Sequence, residues 1–482
     1  MNSTHLRTES LLSGNSTQVG SHAVFLHTGY RTAGTWLWSC FRKLDTVTGY
    51  YEPLHEMLAT IDAAKLASST ADSWRSGHPS LDMPYFQEFA HLLQPDGSAD
   101  GAAGSSTGLA AGVAGIPGYE RRFAVDRFDG QIPAGAERMV DYLQGLIRAA
   151  HQQGRVPVFK FCRSLGRLRW FRAAFPEAAH IVVEKNPISQ WQSCWQLFAA
   201  HRNPHFVAVP LAVLALNRDV PLVRQTMEAL RIELPLDPKA LSSSAGESSQ
   251  TFESCIDFYK EHVQSIAPAQ VYRGFLAHWL LTLRDVATQA DAIFDCDLAA
   301  RSPAYLEGAQ RWLEELTGLA PSLGSVRRDV SPERGCGFDP IEGLQIHLDA
   351  SRLGRDLVRN GSVEADALSL WTSKLAQATQ VMAFGSTANW PRAEMPDGRA
   401  TRMVEVALID GAGIDTVLHS ELAATQAALA DVKCQLARVQ NSPLWRLWGP
   451  LRKLYGAKRR RSARHAARAR AGSETRQRKP SA

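Results

Sequence analysis

The first apolar run of the chain, Ala23-Val24-Phe25-Leu26, is short and uninterrupted, and a turn-rich stretch, His27 to Ala33, follows it. Such a run reads as a buried strand. Beyond it Leu37, Phe41 and Leu44 recur at i, i+4 and i+7, on one face of a helix. Strand, glycine-bearing loop and helix in that order open a mononucleotide-binding unit. Further strands are expected at Val47 to Tyr51, Val156 to Phe161, His180 to Val183 and Ala292 to Phe294. Helices are expected around Arg167 to Ala174 and at Ala136 to Ala150, where Met139, Leu143 and Ile147 share a face. Strands alternating with helices predict an α/β fold with a parallel sheet. Residues 254–320 otherwise read as mostly helical, and residues 345–415 carry no pattern that assigns an element.

Polar punctuation separates these elements. Residues 1–21 read as a disordered leader, residues 95–117, rich in Gly, Ala and Ser, as a mobile insertion, and residues 236–252 as a Ser-rich loop. Near the other end Leu418, Thr425, Val432 and Val439 recur every seven residues, interleaved with Leu422, Leu429 and Leu436. That is a short coiled-coil seam within residues 416–440. The segment Ser442 to Arg452 then mixes Trp and Leu with basic residues.

Composition is that of a folding chain: 482 residues, 45% hydrophobic and 21% charged, enough for one large domain with appendages. The net charge of +5 hides an asymmetry. Between Arg446 and Lys479 lie 13 Lys or Arg and one acid, Glu474, which leaves 40 basic against 47 acidic residues elsewhere. A mildly acidic body with a basic tail points to an anionic partner for the tail. The seven cysteines are widely spaced and form no CxxC, which argues against a disulfide framework or a zinc site. The first twenty residues lack the apolar core of a signal peptide, and the longest apolar run, Phe206 to Leu216, is interrupted by Pro210. A protein made and kept in the cytosol is expected.

The chemistry concentrates in His27-Thr28-Gly29-Tyr30-Arg31-Thr32-Ala33-Gly34-Thr35-Trp36. An anion such as phosphate needs inward backbone N–H groups, hydroxyl donors, a cation and a helix N-terminus. Gly29 and Gly34 permit a tight loop, Thr32 and Thr35 carry hydroxyls, Arg31 carries the charge, and the helix near Gly34 supplies the dipole. The glycines have Walker A spacing, but Thr35-Trp36 replaces the Lys and Ser/Thr that hold nucleotide phosphates and magnesium. A P-loop kinase is therefore the weaker alternative, and no metal is expected.

The stretch Arg31-Thr32-Ala33-Gly34-Thr35-Trp36 resembles the 5'-phosphosulfate loop of sulfotransferases, [KR]-[ST]-G-[ST]-T-W. Ala33 stands where that pattern has glycine, which requires an ordinary φ there, and Gly34 stands where it has a hydroxyl residue. A second patch, Lys185-Asn186-Pro187 with Ser193 eight residues after the lysine, is similar to the family's 3'-phosphate element, R-[DN]-P followed by a serine. Lysine keeps the charge there and loses the bidentate fork. A fainter echo is Phe294-Asp295-Cys296-Asp297-Leu298 with Tyr305, and Arg327, Arg328, Arg334, Gly335 and Gly337 fall where the family has a C-terminal nucleotide-binding loop.

The resemblance implies a sulfotransferase domain over residues 22–345, with residues 346–415 a linker or accessory region. Its fold would be a P-loop-like parallel sheet flanked by helices, with a C-terminal coiled-coil extension. The donor would be 3'-phosphoadenosine 5'-phosphosulfate (PAPS), bound by Arg31, Thr32, Ala33, Gly34, Thr35, Trp36, Lys185 and Ser193. Arg31 would stabilise charge on the leaving phosphate, and Glu52, in a Glu-Pro pair similar to that of carbohydrate sulfotransferases, would take the proton of the attacking hydroxyl. A glutamate at a strand tip beside aromatics is expected to have a raised pKa. His55 and Glu56 are rivals for that role. Lys160 and Arg163 read equally as cofactor or acceptor contacts and as surface charges on a buried strand. By the same analogy the acceptor would be a cell-surface polysaccharide or glycolipid. The basic tail, residues 441–482, would rest on an anionic inner membrane leaflet, and the heptads would dimerise or bridge to a partner helix. Nucleic acid is disfavoured, since no recognition module accompanies the charge. A nucleotide-binding scaffold without activity is the other reading.

Overall fold

The computed structural model describes residues 23–74, 77–93, 115–130, 135–235, 249–324 and 335–384. Among them five strands, β1 (Val24–Thr28), β2 (Val47–Tyr51), β3 (Val156–Phe161), β4 (Ala179–Glu184) and β5 (Ala292–Asp295), form one sheet in the order β2-β3-β1-β4-β5. Every pairing is parallel, so all five strands end at one edge. The expected α/β class with a parallel sheet flanked by helices is what forms.

β1 to β4 are buried almost throughout, as strands covered on both faces must be, and they are built from Val, Ile, Phe and Tyr. β1 runs two residues beyond the expected apolar stretch. The reason is that its polar end is satisfied: His27 hydrogen-bonds Ser164 Oγ at 2.8 Å and His180 Nδ1 on β4 at 3.1 Å, and Thr28 Oγ1 donates to the Phe161 carbonyl at 2.8 Å. Burial, then the neighbouring His180, pushes the His27 pKa well down, so the pair is neutral.

The crossover helices are α1 (Gly34–Arg42) after β1, α2 (Ala136–Gln152) before β3, and α3 (Leu168–Ala174) before β4. After β4 the chain becomes helical: α4 (Pro187–His201), α5 (His205–Leu216), α6 (Ser249–His262) and α7 (Pro268–Thr282) precede β5, and α8 (Pro303–Thr317) follows it. One core gathers on the sheet around Phe25, Phe41, Tyr50, Phe159 and Phe171. A second lies between helices, around Trp191, Leu211, Tyr259, Tyr272 and Trp371. The run Phe206 to Leu216 is the centre of that second core: α5 is apolar all round and buried along its length. No helix of the described residues is long and apolar enough to cross a membrane.

Two helices occupy the stretch that sequence pattern left unassigned. α9 (Pro340–Arg359) and α10 (Ala365–Phe384) pack against α7 and α4 respectively. Six cysteines of the described residues are free thiols. The leader, most of the Gly/Ala/Ser and Ser-rich insertions, Arg327, Arg328 and Arg334, the heptads of 416–440 and the tail of 441–482 lie outside the described residues.

Candidate functional site

The site stands at the carboxyl edge of the sheet, where the order reverses around β1. Ligands of open α/β sheets gather in such crevices. The loop leaving β1 carries Arg31 to Trp36, and the turn leaving the adjacent β4 carries Lys185 to Pro187; Thr28 and Val183 are partners in the ladder between them.

The β1 loop holds itself together with unusual backbone. Arg31 and Ala33 both have φ of 63°, and Glu52, after β2 on the far side of β3, has 43°; these are three of the five non-glycine residues with positive φ among the described residues. Each costs of the order of 1–3 kcal/mol, and such strain gathers at functional sites. The expected ordinary φ at Ala33 is therefore corrected: the position is left-handed, the conformation that glycine takes freely. Ala33 is the residue before the first turn of α1, and no side chain caps that helix. An uncapped N-terminus leaves backbone N–H groups for an anion. Gly34 is required for a different reason. A Cβ there would sit 2.4 Å from Thr28 Cγ2.

The hydroxyls divide between structure and site. Thr32 is buried and donates to the Gly29 carbonyl at 3.0 Å, and its own carbonyl accepts the Cys296 thiol at 2.8 Å. Thr35 is buried, and its hydroxyl acts on the ionisation of Tyr51. Trp36 lies half-buried, 6.1 Å from the Phe294 ring. Arg31 reaches across to α4, where its Nε donates to Ser193 Oγ at 3.0 Å, and its guanidinium lies 5.3 Å from the Phe206 ring centre.

At the start of α4, Pro187 takes the first helical position and Asn186 caps it, its Oδ1 accepting from Ser189 N–H at 2.9 Å. Asn186 is itself held by Asp297, to which its backbone N–H and its Nδ2 donate at 2.7 and 2.6 Å. Lys185 is half-buried, and its charge acts on Cys194, Cys296 and Asp297. The Arg31 charge acts on the same Cys194 thiol. Arg31 and Ser193 are thus in direct contact, and the Arg31 and Lys185 charges both reach the Cys194 thiol.

Glu52 directly follows β2 and is buried. Lys160 Nζ donates to its Oε1; Cys162 N–H and Arg163 donate to its Oε2 at 3.0 and 3.3 Å. Arg163 also donates to Glu56 at 2.7 Å. Burial alone would raise the Glu52 pKa, but Lys160, Arg163 and these hydrogen bonds outweigh it and hold it at about 2. Glu56 is held at about 2 in the same way, burial being overcome chiefly by Arg163. The raised pKa expected at a strand tip is not found, because the strand tip is lined by cations. Lys160 and Arg163 are not surface charges either: their side chains are 3% exposed.

Beside this cluster sit three imidazoles that burial keeps neutral, His55, His78 and His205. The Arg31 and Lys160 charges further lower His78, whose Nε2 is 3.4 Å from the Tyr51 hydroxyl. His78, Tyr51, Cys162 and, from α10, Lys374 were missed by sequence reasoning. Only the Lys160-x-Cys162-Arg163 run left a signal, as polar residues at the end of an apolar strand. Of the segment matched to the C-terminal nucleotide-binding loop, Cys336 and Gly337 pack on α4, where Trp191 Nε1 donates to the Cys336 carbonyl at 2.8 Å. No group of His, Cys, Asp and Glu able to hold a metal ion occurs among the described residues.

No family model, curated protein or solved structure matches the chain.

Proposed function

We propose that this chain is a sulfotransferase that moves a sulfuryl group from PAPS to a hydroxyl, on a P-loop-like α/β domain. In the step, the acceptor oxygen bonds to sulfur, the bond from sulfur to the 5'-phosphate oxygen breaks, and adenosine 3',5'-bisphosphate leaves. The observation that carries the reading is the hydrogen bond from Arg31 to Ser193. It joins the loop suited to the 5' end of such a nucleotide to the helix suited to its 3'-phosphate. Around it are the uncapped N-terminus of α1, with Gly34, Thr35 and Trp36, and the Lys185 ammonium. Thr32 and Ala33 set the loop's shape rather than offer donors.

Arg31 has no proton to give at neutral pH, so its help is electrostatic, at the bridging oxygen. Glu52 fixes Lys160 and Arg163. To take the acceptor's proton its pKa must rise from about 2, and negative charge brought beside Lys160 and Arg163 would raise it. His55, already neutral, and Glu56 are its rivals. The acceptor we favour is a sugar hydroxyl of a surface polysaccharide or glycolipid, and the basic tail we assign to an anionic membrane face, both by analogy.

The test is a labelled-PAPS assay against host surface glycans, paired with titration of adenosine 3',5'-bisphosphate. Arg31→Ala should lower turnover by two orders of magnitude or more, roughly the loss of one group aimed at developing charge, while the thermal transition is kept. Retained turnover, or a wild-type chain that prefers ATP to the bisphosphate, rejects the reading.

A further inference from the structure

α10 reaches the site with one residue. Lys374, buried at 2% exposure, places its ammonium 2.6 Å from Glu184 Oε1, 2.8 Å from Asp295 Oδ2 and 3.1 Å from Asp297 Oδ2. Glu184 ends β4, Asp295 ends β5 and Asp297 follows it, so one lysine from a distant helix closes the gap between two strand ends. Asp297 is also the carboxylate that holds the Asn186 backbone and side chain. The residue before Asn186 is Lys185, and its charge acts on Asp297 as well.

We propose that Lys374 is a positioning residue of the nucleotide site: by holding Asp295 and Asp297 to itself, it leaves the Lys185 ammonium to the ligand's 3'-phosphate. The inference rests on the function proposed above and names a residue outside the motifs that suggested it. Glu184, Asp295 and Asp297 share the buried Lys374 ammonium, and Asp297 feels the Lys185 charge as well. A carboxylate losing its cation in a low-dielectric setting takes the nearest remaining one. Without Lys374 that cation is Lys185, which would turn inward to Asp297 and leave the crevice. Asp297 would remain bonded to Asn186, so the turn itself would persist while its charge was spent internally.

The discriminating readout is a ratio. Calorimetric titration of the full chain with adenosine 3',5'-bisphosphate and with adenosine 5'-phosphate measures what the 3'-phosphate contributes. Lys374→Met should lower that ratio by at least about tenfold, the size of one charge-assisted hydrogen bond. Lys374→Arg should keep it near the wild-type value, and Lys374→Met with Asp295→Asn should recover part of it. Should Lys374→Met fail to fold, Asp295→Asn alone carries the test, since it removes a competitor of Asp297 for Lys374 and should raise the ratio by roughly twofold or more. A Lys374→Met chain that loses affinity equally for both nucleotides, or keeps the ratio, overturns the inference and leaves the nucleotide site standing; for Asp295→Asn, an unchanged ratio does the same. A wild-type chain that binds neither nucleotide overturns the proposed function itself, and the inference with it.

Discussion

Two buried charge clusters stand at the same edge of the sheet, built on opposite balances. In the first, the carboxylates Glu52 and Glu56 meet two cations, Lys160 and Arg163. In the second, Glu184, Asp295 and Asp297 share the one ammonium of Lys374 at ion-pair distance. Glu52 is 4% exposed and Glu184 2%, so burial hardly distinguishes them. Their pKa values nonetheless part in opposite directions, Glu52 down to about 2 and Glu184 up to about 8. Burial raises both; in the first cluster two cations overcome it, while in the second Lys374 is opposed by Asp295 and Asp297. Asp297, which also faces Lys185, is lowered, so Glu184 absorbs the surplus of negative charge. Partner number, not depth, sets the ionisation. The strain is unequal as well: Glu52 has positive φ, whereas Glu184, Asp295, Asp297 and Lys374 do not.

Breaking the balanced cluster should have the largest effect. Glu52→Gln leaves two buried cations with one carboxylate and should cost about 3–5 kcal/mol at neutral pH. Denaturant titration measures it, and an unchanged midpoint would contradict the picture of a balanced quartet. In the same variant, lost turnover with intact nucleotide affinity identifies Glu52 as the proton acceptor, and lost affinity identifies it as an anchor for the cations.

A pH series sharpens the contrast next. Glu52 and Glu56 have folded pKa values of about 2, below the ordinary 4.5. Their contribution is present above pH 4.5 and is lost as pH falls toward 2, roughly 3 kcal/mol apiece. Glu184 has the opposite sign. Its folded pKa is raised from 4.5 to about 8, so stability falls as pH climbs between those values, by a few kcal/mol. Glu184→Gln should flatten that alkaline limb and leave the acid limb alone; an unaltered slope between them would mean that Glu184 is ionised in the fold. The smallest effect belongs to strain. Ala33→Gly should gain up to about 1 kcal/mol in thermal or chemical unfolding. A loss there would mean that the left-handed alanine is held without cost.

The strands were legible because each is a short run dominated by β-branched and aromatic residues between turn residues. Val47–Tyr51 and Val156–Phe161 have the bounds their composition predicts, and β4 and β5 extend theirs only by flanking residues. The helices α9 and α10 were not legible, and their buried faces explain it. Apolar stripes are there, Ile346, Ala350, Leu353 and Leu357 on α9 and Ala367, Trp371, Leu375 and Ala378 on α10, but Gly343, His347, Asp349, Ser351 and Gly354 share the buried side of α9, and Lys374 and Gln377 that of α10, and they dilute the pattern. The loop and the α4 start were legible as motifs, since spacing survives substitution. The Glu52 environment was not: its partners come from β3, more than a hundred residues onward, and sequence separation conceals a charge pair.

Positions 28 and 34 occupy a single methyl-sized volume at the root of the β1 loop. The strand-end threonine spends its hydroxyl on the Phe161 carbonyl, fastening β1 to β3, and its methyl fills the space above glycine. A serine or threonine could enter at 34 only if residue 28 shrank in step. The two sites should therefore change together in any library selected for folding, and a hydroxyl can serve the sheet or the loop from this corner, not both.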